Sequence, residues 1–99
     1  MNLLMVRARL KEDNVAEAKA ETEKVIQALD QARPAGVRYA AGMLNDGVTF
    51  VALLEMEPGQ EHPLRTFPAY VALIENLKDW YAEPPTVEYM TVIGSYQLF

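Results

Sequence analysis

The sequence predicts an α+β domain, a four-stranded antiparallel sheet carrying two helices on one face. Three observations predict it. The hydrophobic period switches between strand-like and helix-like in the order β-α-β-β-α-β. An Asn45-Asp46-Gly47 tripeptide separates two consecutive strand-like segments. Proline-containing breaks at Pro34 and at Pro84-Pro85 end the two helical patterns.

Taken in order, residues 2–11 alternate Leu4, Val6, Ala8 and Leu10 with Met5, Arg7 and Arg9, a strand with one apolar and one mixed face. Asp13 or Asn14 can cap the helix that follows, and Glu17 stands where a capping box would place it. Val15, Ala18, Thr22, Ile26, Leu29 and Ala32 then recur at three- and four-residue steps until Pro34 and Gly36. Residues 37–44 and 48–56 form the hairpin strands. A polar loop follows, and the second helix begins at Pro63 or Thr66, with Phe67, Tyr70, Val71, Ile74, Leu77 and Tyr81 on one face. Residues 86–98 make a long last strand. This is the ferredoxin-like plan.

Both faces of that sheet are apolar. Phe50, Ala52 and Leu54 oppose Val51 and Leu53, while Val87, Tyr89 and Ile93 oppose Met90, Val92 and Tyr96. Helices cover only one face, so a second copy of the chain is expected over the other, giving a homodimer through the sheet faces.

Composition narrows the function. The 99 residues suffice for one domain, expected to span 1–99. Nine Lys and Arg against fourteen Asp and Glu leave a net charge of −5, which argues against nucleic acid as a partner. With no cysteine and a single histidine, His62, thiolate chemistry and the common transition-metal sites are excluded. No glycine-rich phosphate loop is present either, so no cofactor is expected, neither a tightly bound transition metal nor flavin, haem or dinucleotide. A hard cation held by carboxylates alone stays open. No apolar run is long enough for a membrane span, and Leu3–Val6 is too short for a signal-peptide core. A cytoplasmic protein without membrane partners is expected.

The opening MVRARLKEDNVAEAK, the short hairpin, the loop EHPLRTFPAY and the long final strand resemble the dimeric α+β barrel superfamily. Within it they resemble the small antibiotic-biosynthesis-monooxygenase-like proteins. The resemblance covers about residues 2–98. It implies pairing of two sheets into a dimeric α+β barrel, and a cofactor-independent oxygenase, isomerase or non-catalytic role. The haem-degrading branch shows an Asn on the first strand, then a Trp, then a His on the second helix. Here Arg7 and Arg9 occupy the first strand and Trp80 follows His62, so that activity is not implied.

Among candidate residues, His62 is the natural proton acceptor, because its ordinary pKa lies near neutrality. Asn76 lies one helical turn before Trp80 and could orient a ligand carbonyl. Tyr39, Tyr89, Tyr96 and Trp80 could line an aromatic cavity. Arg7 and Arg9, with Arg38, need carboxylates or an anionic ligand, Glu55, Glu57 and Glu88 being the candidate carboxylates. No histidine or acid stands at a diagnostic sequence spacing from Ser95, so a nucleophilic triad is not supported. The expected pocket opens beside the start of the second helix. There His62 is the base, Asn76 or a tyrosine steadies an oxyanion, and Trp80 bounds the cavity. The expected function is a cofactor-independent monooxygenase or isomerase acting on a small hydrophobic or aromatic compound. The alternative is a non-catalytic ligand-binding or accessory dimer.

Overall fold

The computed structural model describes residues 1–97. Strands β1 (Asn2–Arg9), β2 (Tyr39–Met43), β3 (Thr49–Glu55) and β4 (Thr86–Thr91) alternate with helices α1 (Val15–Ala32) and α2 (Pro68–Trp80) in the order β1-α1-β2-β3-α2-β4. The sheet is antiparallel throughout, with strand order β2-β3-β1-β4. The ferredoxin-like arrangement is therefore present within the chain. The expected barrel is not. The sheet is open, with β2 and β4 at opposite edges and each paired on one side only. Those edges stand three strand spacings apart, roughly 14 Å, far beyond hydrogen-bonding reach.

The ends of the elements follow local chemistry. Asn14 precedes α1, but its side chain caps no backbone N–H. Instead Asn14 Nδ2 donates to Glu17 Oε1 at 3.1 Å, so the expected capping box is replaced by a side-chain pair. Arg33 ends α1 in the left-handed conformation, its N–H donating to the Leu29 carbonyl, and Pro34 prevents continuation. In the hairpin, Gly47 supplies the positive φ, and Asp46 accepts from the Val48 and Thr49 N–H groups and from the Thr49 hydroxyl. Those bonds hold the Asp46 carboxyl below its ordinary pKa.

Two boundaries differ from expectation. Helix α2 begins at Pro68, rather than at Pro63 or Thr66. Phe67 precedes a proline, which disfavours helical geometry there, and Phe67 is extended. Pro68 then takes the first helical position, where its missing N–H costs nothing. Strand β4 stops at Thr91 instead of running through 86–98, whose last residue lies outside the described ones, as does the end of the expected 1–99 domain. Thr91 pairs with Asn2, so the partner strand ends there. Among the described residues one further backbone bond, Val92 N–H to the Met1 carbonyl, prolongs the contact.

The core lies between sheet and helices. Ala18 and Val25 of α1 and Leu73 and Leu77 of α2 pack on Leu10, Phe50 and Ala52. Each large buried aliphatic among them contributes roughly 1.5–3 kcal/mol. A second cluster joins Leu54 and Met56 at the end of β3 to Leu64 in the following loop, with Phe67 and Tyr70 against it. This second cluster fixes the loop that carries the lone histidine.

Candidate active site

The loop joining β3 to α2 is held from inside by Leu64, which is 1% exposed. Local turns shape it. The Arg65 N–H donates to the His62 carbonyl at 3.2 Å, and the Phe67 N–H to the Leu64 carbonyl at 3.0 Å. The His62 side chain turns back on this loop, where its Nδ1 accepts the Leu64 N–H at 3.1 Å. Its Nε2 lies 3.2 Å from the Tyr70 Oη, in the first turn of α2. The two rings sit 5.0 Å apart with 30° between their planes, and Tyr70 in turn meets Tyr39 edge-on at 6.0 Å. Burial pushes the His62 imidazole below its ordinary pKa. Desolvation, with the neighbouring Tyr81 phenol, raises that of Tyr70, and burial raises Tyr39 further. All three side chains are therefore held in their neutral forms around neutrality.

His62 and Tyr70 line a cavity of about 370 Å³ with Arg65, Val71, Ile74 and Glu75. Val71, Ile74 and the tyrosine ring make it largely apolar. Arg65 and Glu75 add charge, but each already pairs with a neighbour, Glu61 at 3.1 Å and Lys78 at 3.0 Å respectively. The volume lies in the range of small-molecule sites. Among the described residues no three His, Asp or Glu side chains gather as a metal-binding group, and no helix is long and apolar enough to cross a membrane.

None of the other expected site residues lines this cavity. Tyr39 stands behind Tyr70, joined to it by the ring contact, and borders a different concavity against α1. Asn76 is half-buried farther along α2, and Trp80, the last residue of that helix, packs on the main core. Tyr89 is exposed on β4. Tyr96, beyond the end of β4, shares a separate concavity with Leu3 and Met90. Arg7 and Arg9 are exposed on the sheet face away from the helices. Arg9 reaches Glu83 at 3.9 Å, and Arg38 reaches Glu55 at 3.4 Å. Glu57 is taken by Asn2. The residue that sequence reading places on one face of the second helix and passes over as a site residue is Tyr70. Its one local signal is a tyrosine on the first turn after a Phe-Pro helix start, eight residues from the lone histidine.

Fold and site together define a small ferredoxin-like domain with one histidine–tyrosine pair on an apolar cavity beside its second helix. Solved structures share that fold. The chain superposes on a "Putative antibiotic biosynthesis monooxygenase" from Nitrosomonas europaea with a TM-score of 0.75 at 21% identity, covering 95% of this chain and 100% of that one. A protein of unknown function from the same organism gives 0.71 at 19% identity, with 96% and 91% covered. A Mycobacterium tuberculosis protein gives 0.70 at 17%, with 95% and 96% covered. At these identities the likeness is one of fold, the fold of the antibiotic-biosynthesis-monooxygenase-like group. No family model matches the sequence, and no curated protein does.

Proposed function

We propose that this protein is a cofactor-independent monooxygenase or isomerase acting on a small hydrophobic or aromatic compound bound in the His62–Tyr70 cavity. The observation that carries the reading is a hydrogen-bonded imidazole–phenol pair on the wall of a largely apolar cavity of about 370 Å³. A fold shared with proteins described as antibiotic biosynthesis monooxygenases supports the reaction class. The chemistry needs an acidic C–H next to a carbonyl, as in a ketone or the keto tautomer of a phenol. Removal of that proton, for which the Glu75 carboxylate is the acceptor on the cavity wall, leaves an electron-rich carbanion. Reprotonation at another carbon completes an isomerisation. Alternatively the carbanion reduces dioxygen to a bound hydroperoxide, which loses water to leave a carbonyl. The protein's part is an apolar wall and a donor for the developing oxyanion.

A second reading, a ligand-binding or accessory protein without turnover, is favoured by one observation: Asn76 and Trp80 stay outside the cavity. The two separate experimentally. A panel of cyclic ketones and phenols is followed by oxygen electrode and by deuterium exchange at the acidic carbon. Oxygen uptake marks the oxygenase, exchange without uptake marks the isomerase, and binding with neither marks the accessory role. Absence of binding across the panel would sink all three.

The same proposal includes a homodimer through the open sheet face. Met5, Val51 and Leu53 lie there half-buried with Met90 exposed, and no helix of the chain covers them. Sedimentation equilibrium at micromolar concentration should return twice the 11.1 kDa chain mass. A folded 11 kDa species refutes the pairing.

A further inference from the structure

We infer that Tyr70, and not His62, presents the hydrogen bond to a ligand's oxygen in this cavity, and that His62 is a positioning residue locked as the donor behind it. The inference rests on the proposed binding role of the cavity but is drawn from the hydrogen bonds alone. A backbone N–H can only donate, and the Leu64 N–H points at His62 Nδ1. Nδ1 therefore carries the lone pair, and the single proton of the neutral ring sits on Nε2. The 3.2 Å contact between Nε2 and the Tyr70 Oη is then directional, with Nε2–H donating and the phenol oxygen accepting. The phenolic O–H is left without an acceptor among the described residues, on the wall of the cavity.

The consequence reverses the role expected of the histidine. Neutral His62 has no free lone pair, since Nδ1 is occupied and Nε2 is protonated. The proton-accepting group that remains on the cavity wall is the Glu75 carboxylate. A hydrogen bond received from His62 polarises the Tyr70 hydroxyl and makes it a better donor. Such a donor suits a carbonyl, enolate or phenolate oxygen on an otherwise apolar ligand. Burial keeps the imidazole neutral, consistent with this arrangement. The edge-on contact with Tyr39 fixes the Tyr70 ring from the opposite side.

Two measurements on the full chain test this. Nitrogen NMR of the ligand-free protein near neutral pH reads the tautomer directly. The Nε2–H form is expected, and an Nδ1–H form or an imidazolium overturns the assignment. Binding of 6-propionyl-2-dimethylaminonaphthalene, a fluorophore whose emission shifts to the red when its ketone accepts a hydrogen bond, reads the donor. Tyr70→Phe keeps the ring and should weaken binding about tenfold, the scale of one hydrogen bond, with emission moving to the blue. His62→Ala should give a blue shift in the same direction but smaller, since the hydroxyl remains, while His62→Gln, whose amide can both accept from Leu64 and donate to Tyr70, should restore the red emission. Unchanged affinity and emission in Tyr70→Phe overturns the donor role. If the wild type leaves the fluorophore free while the tautomer is Nε2–H, the ligand-binding reading fails and the donor role with it, whereas the lock on Tyr70 stands.

Discussion

Strands β3 and β4 both pair with β1, and their fates differ. Two rows crossing the sheet on its helix-covered side make the contrast direct, because paired residues share a face. One row runs Leu54, Leu4, Tyr89 and the next Ala52, Val6, Val87. At the β3 end Leu54 and Ala52 are 3% and 9% exposed. At the β4 end Tyr89 and Val87 are 45% and 56% exposed. The residues at both ends are apolar. What differs is position, since β3 has a strand on each side and lies under both helices, while β4 is an edge that the helices leave uncovered. Apolar character says which side chains can be buried, and neighbours decide which of them are.

Truncating a side chain at each end of one row should separate the two strands most. Leu54→Ala should cost about 2–5 kcal/mol by urea denaturation, the usual range for an emptied leucine site. Tyr89→Ala on the same face should stay within about 1 kcal/mol. Equal losses would mean that β4 is covered in solution as fully as β3. Next in size is backbone protection. Hydrogen exchange read by mass spectrometry should be slower in β3 than in β4 by roughly a hundredfold, the ratio that about 3 kcal/mol of opening free energy gives. Similar rates would remove the distinction between centre and edge.

A smaller effect belongs to the β3–α2 loop, which the buried end of β3 anchors. Because burial lowers the His62 pKa in the folded chain, the unfolded chain binds the proton more readily. The stability associated with neutral His62 is therefore fully present above the unfolded value of about 6.5. It is lost as pH falls from there through the lower folded value. Arg65 and Glu75 share the cavity with the ring, and Tyr70 faces it from α2. The wild type should lose thermal stability over that interval, and His62→Gln should flatten the slope. A wild-type slope that survives the substitution assigns the effect to other groups.

Much of the fold is legible from local chemistry. The turn at Asn45-Asp46-Gly47 holds because an aspartate that accepts three bonds and a glycine at positive φ satisfy that bend by themselves. The end of α1 needs nothing beyond Arg33 in the left-handed region and Pro34. The site is legible only in part. His62 can be singled out by its chemistry, yet its partner cannot, since Tyr70 has the spacing of any core residue on α2. A Phe-Pro dipeptide announces the later helix start, but the two earlier candidate starts compete with it.

Local sequence settles the element order, the ferredoxin-like class and the lone titratable group near neutrality, because periodicity, turn residues and pKa are properties of short segments. Tertiary contacts settle that the sheet stays open, that β4 stops at Thr91 and that His62 faces Tyr70. The physical reason is common to all three. A strand extends only as far as its partner, a sheet closes only if its edges meet, and a histidine's tautomer is set by whichever donor lies against its ring. Each is a relation between residues brought together by folding, and no single segment contains it.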